Sequence, residues 1–328
     1  MRIIVTGGCG FIGSFVVDHY VREGHTVSIV DNLSSGRMEN KNEKAKLYVK
    51  DIRDPDLEEV FREERPQVVN HHAAQISVPL SVEDPLTDLE VNAGGTLRLL
   101  ELSLKYGVKR FVFASTGGAI YGEVDGPADE SVSPRPLSPY AISKLAAERY
   151  IEFFHHHYGL AYTILRYSNV YGPRQIPHGE AGVVAIFLES LIKGERPTLY
   201  HFEEEPRGMV RDYVFVEDVA RANLLALKEE GSSVLNIGTG KGTHTLELYG
   251  VILEALRSRG LAIEGQLDEP NRAKARPGDI RKSILSVEKA KRAGWKPLFD
   301  LKAGIERTVN FYLSEDKVSR HRHLSPLT

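Results

Sequence analysis

A single cysteine in 328 residues excludes an intrachain disulfide framework. Charge of one sign is equally scarce: 42 Lys and Arg stand against 45 Asp and Glu, a net of −3. That balance gives no electrostatic basis for binding nucleic acid or an anionic membrane. No apolar run approaches the ~20 residues that span a bilayer. The first residues read as a strand, so no signal peptide is expected. Internal repeats and low-complexity blocks are missing as well. The expectation is a cytoplasmic protein, long enough for one large or two fused domains with a full core.

What is present is alternation. Strand-like runs at Arg2–Thr6, Thr26–Val30, Lys46–Val49, Gln67–His71, Arg110–Ala114, Ala161–Arg166 and Val234–Ile237 are rich in β-branched residues and separated by helical patterns. That order predicts an α/β fold, a Rossmann-type doubly wound parallel sheet. After about Ser168 prolines and glycines cluster, which predicts a smaller, interleaved C-terminal α/β lobe for the substrate. The expected division is 1–168 plus 210–241 for the dinucleotide domain and 169–209 plus 242–313 for the lobe. Residues 314–328 are expected to form a loose tail.

The string T-G-G-C-G-F-I-G, Thr6 to Gly13, lies between the first strand and the first helical pattern. Gly7, Gly10 and Gly13 suit a tight turn, close approach to a pyrophosphate, and packing of helix on sheet. Phe11 and Ile12 would open the helix. The next strand ends at Asp31, 18 residues after Gly13. A carboxylate there accepts from adenosine ribose hydroxyls and repels a 2′-phosphate, so NAD is expected rather than NADP.

A second constellation adds chemistry. Tyr140-Ala-Ile-Ser-Lys144 has Y-x-x-x-K spacing behind Ser138 and Pro139, a candidate N-cap and first helical residue. Residues four apart share a helix face. A free tyrosine, with a pKa of about 10, is a weak base near neutrality. A neighbouring ammonium and an oxidised nicotinamide both favour its phenolate, which makes Tyr140 a candidate general acid/base.

These segments resemble the extended short-chain dehydrogenase/reductase family. They are most similar to its nucleotide-sugar 4-epimerases of the UDP-glucose (UDP-galactose) 4-epimerase type. V-D-N-L-S-S-G, H-H-A-A-Q, F-A-S-T-G-G-A-I-Y-G, S-P-Y-A-I-S-K, L-R-Y-S-N-V-Y-G-P-R, R-D-Y-V-F-V-E-D-V, N-I-G-T-G and R-P-G-D-I-R-K-S follow in the family's order, to about residue 312. The resemblance implies an NAD-dependent isomerase that oxidises and re-reduces a UDP-sugar at C4 while NAD stays bound. It implies catalytic roles for Tyr140, Lys144 and Thr116, with Ser115 the adjacent alternative to Thr116. It further implies cofactor contacts from Asn32, Ser35, Gly36, Asp51, Ile52, His72, Ala73, Ala74, Asn92 and Tyr167. For the substrate it implies Asn169, Gly182, Val183, Arg211, Tyr213, Arg276, Asp279 and Ser283. Arg211 and Arg276 suit phosphate oxygens because a guanidinium is a planar fork. Ser283, four residues after Asp279, falls where a tyrosine would exclude 2-acetamido sugars. Serine there implies that UDP-GlcNAc and UDP-GalNAc are admitted too. The family also pairs as homodimers through two helices per subunit, here those with Leu97/Leu99/Leu100/Leu102/Leu104 and Ile142/Leu145/Ala146/Ile151.

Related dehydratases and decarboxylases carry an acid just after the catalytic hydroxyl, whereas this chain reads Thr116-Gly117-Gly118-Ala119. That favours epimerisation over the alternative of a dehydratase or reductase. A non-catalytic NAD-sensing regulator is a remote alternative, since such proteins typically lose the tyrosine or lysine. Three departures stand out: Phe15 for a histidine, the longer Phe202–Gly208 segment, and Gln75-Ile76 in place of a lysine near the cofactor phosphate. No metal is expected. His155, His156 and His157 are consecutive and diverge on a helix, and His321 and His323 fall in the tail.

Overall fold

Each predicted strand alternates its apolar side chains between two faces, and two separate cores result. In the computed structural model, which describes residues 1–177, 182–229, 231–261, 263–276 and 279–314, the central sheet has seven strands. They are β1 (Arg2–Thr6), β2 (Thr26–Asp31), β3 (Lys46–Val49), β4 (Val68–His71), β5 (Arg110–Thr116), β6 (Ala161–Tyr167) and β7 (Ser233–Ile237). Ile3 and Val5 of β1, Val27 and Ile29 of β2, and Val112 and Ala114 of β5 feed one core. Ile4, Val30, Phe111 and Phe113 feed the other. This is the period-two pattern of a sheet buried on both faces.

The strand order is β7-β6-β5-β4-β1-β2-β3, and every pairing is parallel. The order reverses at β1, between β2 and β4, which opens a crevice at the strands' carboxyl ends. Thr6 pins that crevice. Its hydroxyl lies 2.7 Å from His71 Nδ1 and accepts from the main-chain N–H groups of His72 and Ala73 at 3.2 and 3.1 Å.

A third core, with Tyr171, Phe187, Phe215, Tyr249 and Ile305, lies beyond β6. It is served by short strands: Asn169–Tyr171 pairs with Tyr213–Phe215, Val210–Arg211 with Thr243–His244 and Lys282–Ser283, and Thr198–His201 with Asn271–Lys274. Val287, Ala290 and Trp295, expected in the lobe, pack instead with the first core. Trp295 Nε1 donates to the Asp218 carbonyl at 2.9 Å, which ties this segment to helix Val216–Ala226. Residues 315–328, with His321 and His323, lie outside the described residues, as do Pro277 and Gly278 of R-P-G-D. No helix among the described residues is long and apolar enough to cross a membrane.

Candidate active site

The glycine turn is fixed by sterics. Gly7 has φ +67°, and a Cβ there would meet Ala73 N at 2.7 Å. A Cβ on Gly13 would sit 2.1 Å from the Gly7 carbonyl oxygen. The turn delivers Phe11, Ile12 and Gly13 as the first residues of helix Phe11–Arg22, whose opening N–H groups have no partner within the helix. These residues line a cavity of about 470 Å³ at the crevice. Gly7, Gly10, Asp31, Asn32, Ser35, Asp51, Ile52, His72, Ala73, Ala74, Lys144 and Tyr167, all expected to touch cofactor, line it too.

Asp31 is buried, and each of its oxygens already accepts one main-chain N–H, from Cys9 and Leu33, both at 2.9 Å. A carboxylate oxygen has room for a further donor, which leaves Asp31 able to accept from ribose hydroxyls. Gly36 does not line the cavity: its Cα abuts Asp31, and a Cβ would lie 2.6 Å from the carboxylate. Asp51 is held by Arg53 through two bonds of 2.9 and 3.0 Å and by Asn32 at 2.9 Å, and the guanidinium pulls its pKa down to about 2. Lys50 and Arg53 also line this end and went unread in the sequence.

A second cavity of about 270 Å³ is lined by Thr116, Asn169, Gly182, Val183 and Tyr213, all expected at the substrate, together with Gln175. Ser115, Tyr140, Tyr167, Phe11, Ile12 and Ile76 line both cavities. Tyr140 therefore stands where a dinucleotide chamber meets a second chamber.

The helix carrying it, Pro139–Tyr158, begins as expected, with the Ser138 hydroxyl accepting from Ala141 N and proline at the first position. Burial pushes the Tyr140 phenol up to about 12; Asp88 adds to the rise and the Thr116 hydroxyl opposes it. Lys144 is 4% exposed and pushed down to about 8 by burial, against the pull of Glu148 and Asp88. Its ammonium lies 4.5 Å from the Phe113 ring centre and makes no hydrogen bond or ion pair among the described residues. A buried, unpaired cation on a dinucleotide-sized cavity fits the ribose hydroxyls of a nicotinamide cofactor.

Of the two candidate hydroxyls, Ser115 is committed elsewhere. It donates to Glu148 at 2.6 Å, and Glu148 is clamped by Arg166 at 3.0 and 2.6 Å. Thr116 is the hydroxyl beside Tyr140. Asn92 lies behind the wall, buried, with its amide bonded to both main-chain groups of Gln75 at 3.0 Å. His72 faces Tyr167 at 3.1 Å, and burial holds it neutral, near 3.

Four expected substrate residues line neither cavity. Arg211 donates to the carbonyls of Val210 and Arg281 at 3.0 and 3.4 Å. The Arg276 guanidinium lies over the Tyr200 ring at 3.7 Å, and the Arg276 main-chain N–H donates to the Asp279 carboxylate at 2.8 Å. Ser283 is buried in its short strand with its hydroxyl 3.5 Å from the Gly118 carbonyl. The Phe15 departure is also explained: its ring stacks under Arg174 at 4.5 Å, off the cavity.

Residues 3–238 match the model of the NAD dependent epimerase/dehydratase family. The chain belongs to that family. It is 41% identical to a UDP-glucose 4-epimerase of Mycolicibacterium smegmatis, over 97% of this chain and all of that one. A crystal structure of UDP-glucose 4-epimerase from Thermotoga maritima with UDP-glucose is 49% identical, with a TM-score of 0.88 over 95% of this chain and 98% of that one. The Thermus thermophilus UDP-glucose 4-epimerase in complex with NAD is 47% identical, with a TM-score of 0.89 over 96% and 100%.

Proposed function

We propose that this protein is an NAD-dependent UDP-glucose 4-epimerase, interconverting UDP-glucose and UDP-galactose through a 4-keto sugar. The observation that carries this is Tyr140 at the junction of two cavities, with Thr116 beside it and Lys144 one turn along. NAD, when bound, supplies a two-electron acceptor and a positive charge in the chamber that Tyr140 lines. Tyr140 takes the proton of the sugar 4-hydroxyl as C4 is oxidised, and Thr116 orients that oxygen. The 4-keto sugar is retained through its nucleotide and presents its opposite face. C4 is then reduced and Tyr140 returns the proton, so atoms and electrons balance over one turnover.

The absence of an acid after Thr116 supports epimerisation over dehydration, since elimination needs a second proton carrier. The admission of 2-acetamido sugars rests on Ser283 alone, and its place outside the cavity makes the hexoses the leading substrates. The working form is read as a cytoplasmic homodimer.

Incubation of the purified protein with UDP-galactose and no added nicotinamide tests the assignment. UDP-glucose is expected to accumulate to equilibrium, whereas a reductase would stall. Tyr140→Phe is expected to lower turnover by about 10² to 10⁴ with nucleotide binding retained. Turnover within threefold of wild type would remove Tyr140 from its role.

A further inference from the structure

The site holds a buried acid that the mechanism does not use. Asp88 is 0% exposed and belongs to helix Pro85–Leu89, which runs into a π-helical turn at Glu90–Gly94. Such turns frequently mark functional positions. One carboxylate oxygen accepts from Gln75 Nε2 and Asn92 Nδ2, both at 2.9 Å. The other is sealed from solvent without a hydrogen-bond partner, and Asp88 makes no ion pair among the described residues. Gln75 and Ile76 form the adjoining wall, and Ile76 lines both cavities. Helix Pro139–Tyr158 packs against both the Asp88 helix and the π-helical turn.

We propose that Asp88 is a positioning residue for the epimerase reaction, bracing the Gln75–Ile76 wall and placing an uncompensated negative charge opposite the Tyr140–Lys144 pair. The inference rests on the epimerase reading and deepens it. A buried carboxylate half-satisfied by hydrogen bonds is costly unless a cation offsets it. The groups facing this charge are few. Lys144 and Tyr140 feel it from helix Pro139–Tyr158, which packs on the Asp88 helix, and Gln75 bonds it from the wall. On its own segment, Asn92 is neutral, while Asp84 and Glu90 are exposed. Behind Lys144 stand Glu148, paired with Arg166, and the neutral His71 and His72. Asp88 is thus the anion near Lys144 that no arginine neutralises. Its charge opposes the fall that burial imposes on Lys144 and adds to the rise that burial imposes on Tyr140.

The charge is separable from the brace. Asp88→Asn keeps an oxygen to accept from Gln75 and Asn92 while removing the charge. For the NAD-loaded enzyme, in which the positive nicotinamide favours the Tyr140 phenolate and draws its titration down from the ligand-free value, kcat/KM with UDP-galactose is measured from pH 6 to 10. Both limbs are expected to move to lower pH, by about one unit. Lys144 then loses its proton sooner on the alkaline side, and Tyr140 loses its proton sooner on the acid side. Asp88→Glu, which keeps the charge, is expected to hold both limbs near wild type. Asp88→Ser is a second neutral variant should Asn fail to fold. A folded neutral variant with limbs at wild-type positions overturns the proposal, even if uniformly slower, because a purely structural role scales the profile without moving it. Displaced limbs in Asp88→Glu overturn it as well. An inactive wild type, by contrast, would sink the epimerase assignment and not the role of Asp88.

Discussion

Lys144 is the residue at which function opposes stability. Its ammonium is buried against Phe113 without a hydrogen-bond partner, so folding depresses its pKa from 10.5 to about 8. The sign follows from proton counts. Between those values the unfolded chain binds more protons than the folded one, so stability rises with pH through that window and the penalty is full below pH 8. At pH 7 the shift corresponds to about 3 kcal/mol. Lys144→Met removes the charge and keeps the apolar stem. The ligand-free variant is expected to be more stable at pH 7, by up to about 3 kcal/mol in denaturant unfolding, and inactive as an epimerase. A less stable Lys144→Met would show that the ammonium is compensated in the folded state. That Tyr140 and Lys144 share one helix beside the cavity was legible in the sequence because it depends on a spacing within that helix. Asp88 was not. In D-P-L-T-D-L-E an aspartate reads as a surface charge, and its burial arises only when a helix some fifty residues later packs over it.

Among elements, the sheet was the most readable, since all seven expected strands form and differ only by one or two residues at their ends. The extension of β5 to Thr116 matters, because it makes the proposed catalytic hydroxyl the last residue of a hydrogen-bonded strand. The π-helical turn was unreadable: nothing in E-V-N-A-G distinguishes it from an ordinary helix until Asn92 reaches Gln75. The glycine turn sits between these extremes, its residues evident and its steric limits visible only in three dimensions. Gly13→Ala tests those limits. Its methyl would meet the Gly7 carbonyl oxygen at 2.1 Å, so the turn and the helix start must separate. We expect a loss of roughly 2 to 4 kcal/mol, in the range for overpacking plus backbone strain, and NAD affinity lower by at least tenfold. Calorimetric unfolding and equilibrium dialysis with NAD check the two arms. Wild-type NAD affinity in the folded variant would mean that the helix start does not set the cradle.

For the whole molecule, the expected dimer contact divides: helix Pro139–Tyr158 keeps an exposed apolar face, whereas the leucines expected on the earlier helix, Gly95–Lys105, are largely buried. Leu99, Leu100, Leu102 and Ile151 are fully buried within the protomer core and cannot meet a partner. Ile142 and Ala146, among the expected residues, lie outside that core. Ile142 is 53% and Phe153 43% exposed, and with Ala146 and Tyr150 they recur at helical spacing on one face of Pro139–Tyr158. Leu86, 64% exposed, and Leu89 lie on the adjoining helix that packs against it. Large apolar side chains gathered on two neighbouring helices mark a contact surface. A two-fold axis through it would bury the same face of both subunits and assemble four helices. We expect a dimeric mass by light scattering at micromolar concentration. The double variant Ile142→Asp/Phe153→Asp should run as a folded monomer, because each aspartate would lose its hydration in the interface while remaining solvated in the free protomer. A wild-type protein that is already monomeric, or a double variant that stays dimeric, would place the contact elsewhere. Since Tyr140 and Lys144 ride on the same helix, the monomer is also expected to turn over UDP-galactose more slowly than the dimer. The comparison of kcat with mass tests whether pairing steadies the helix that carries the chemistry.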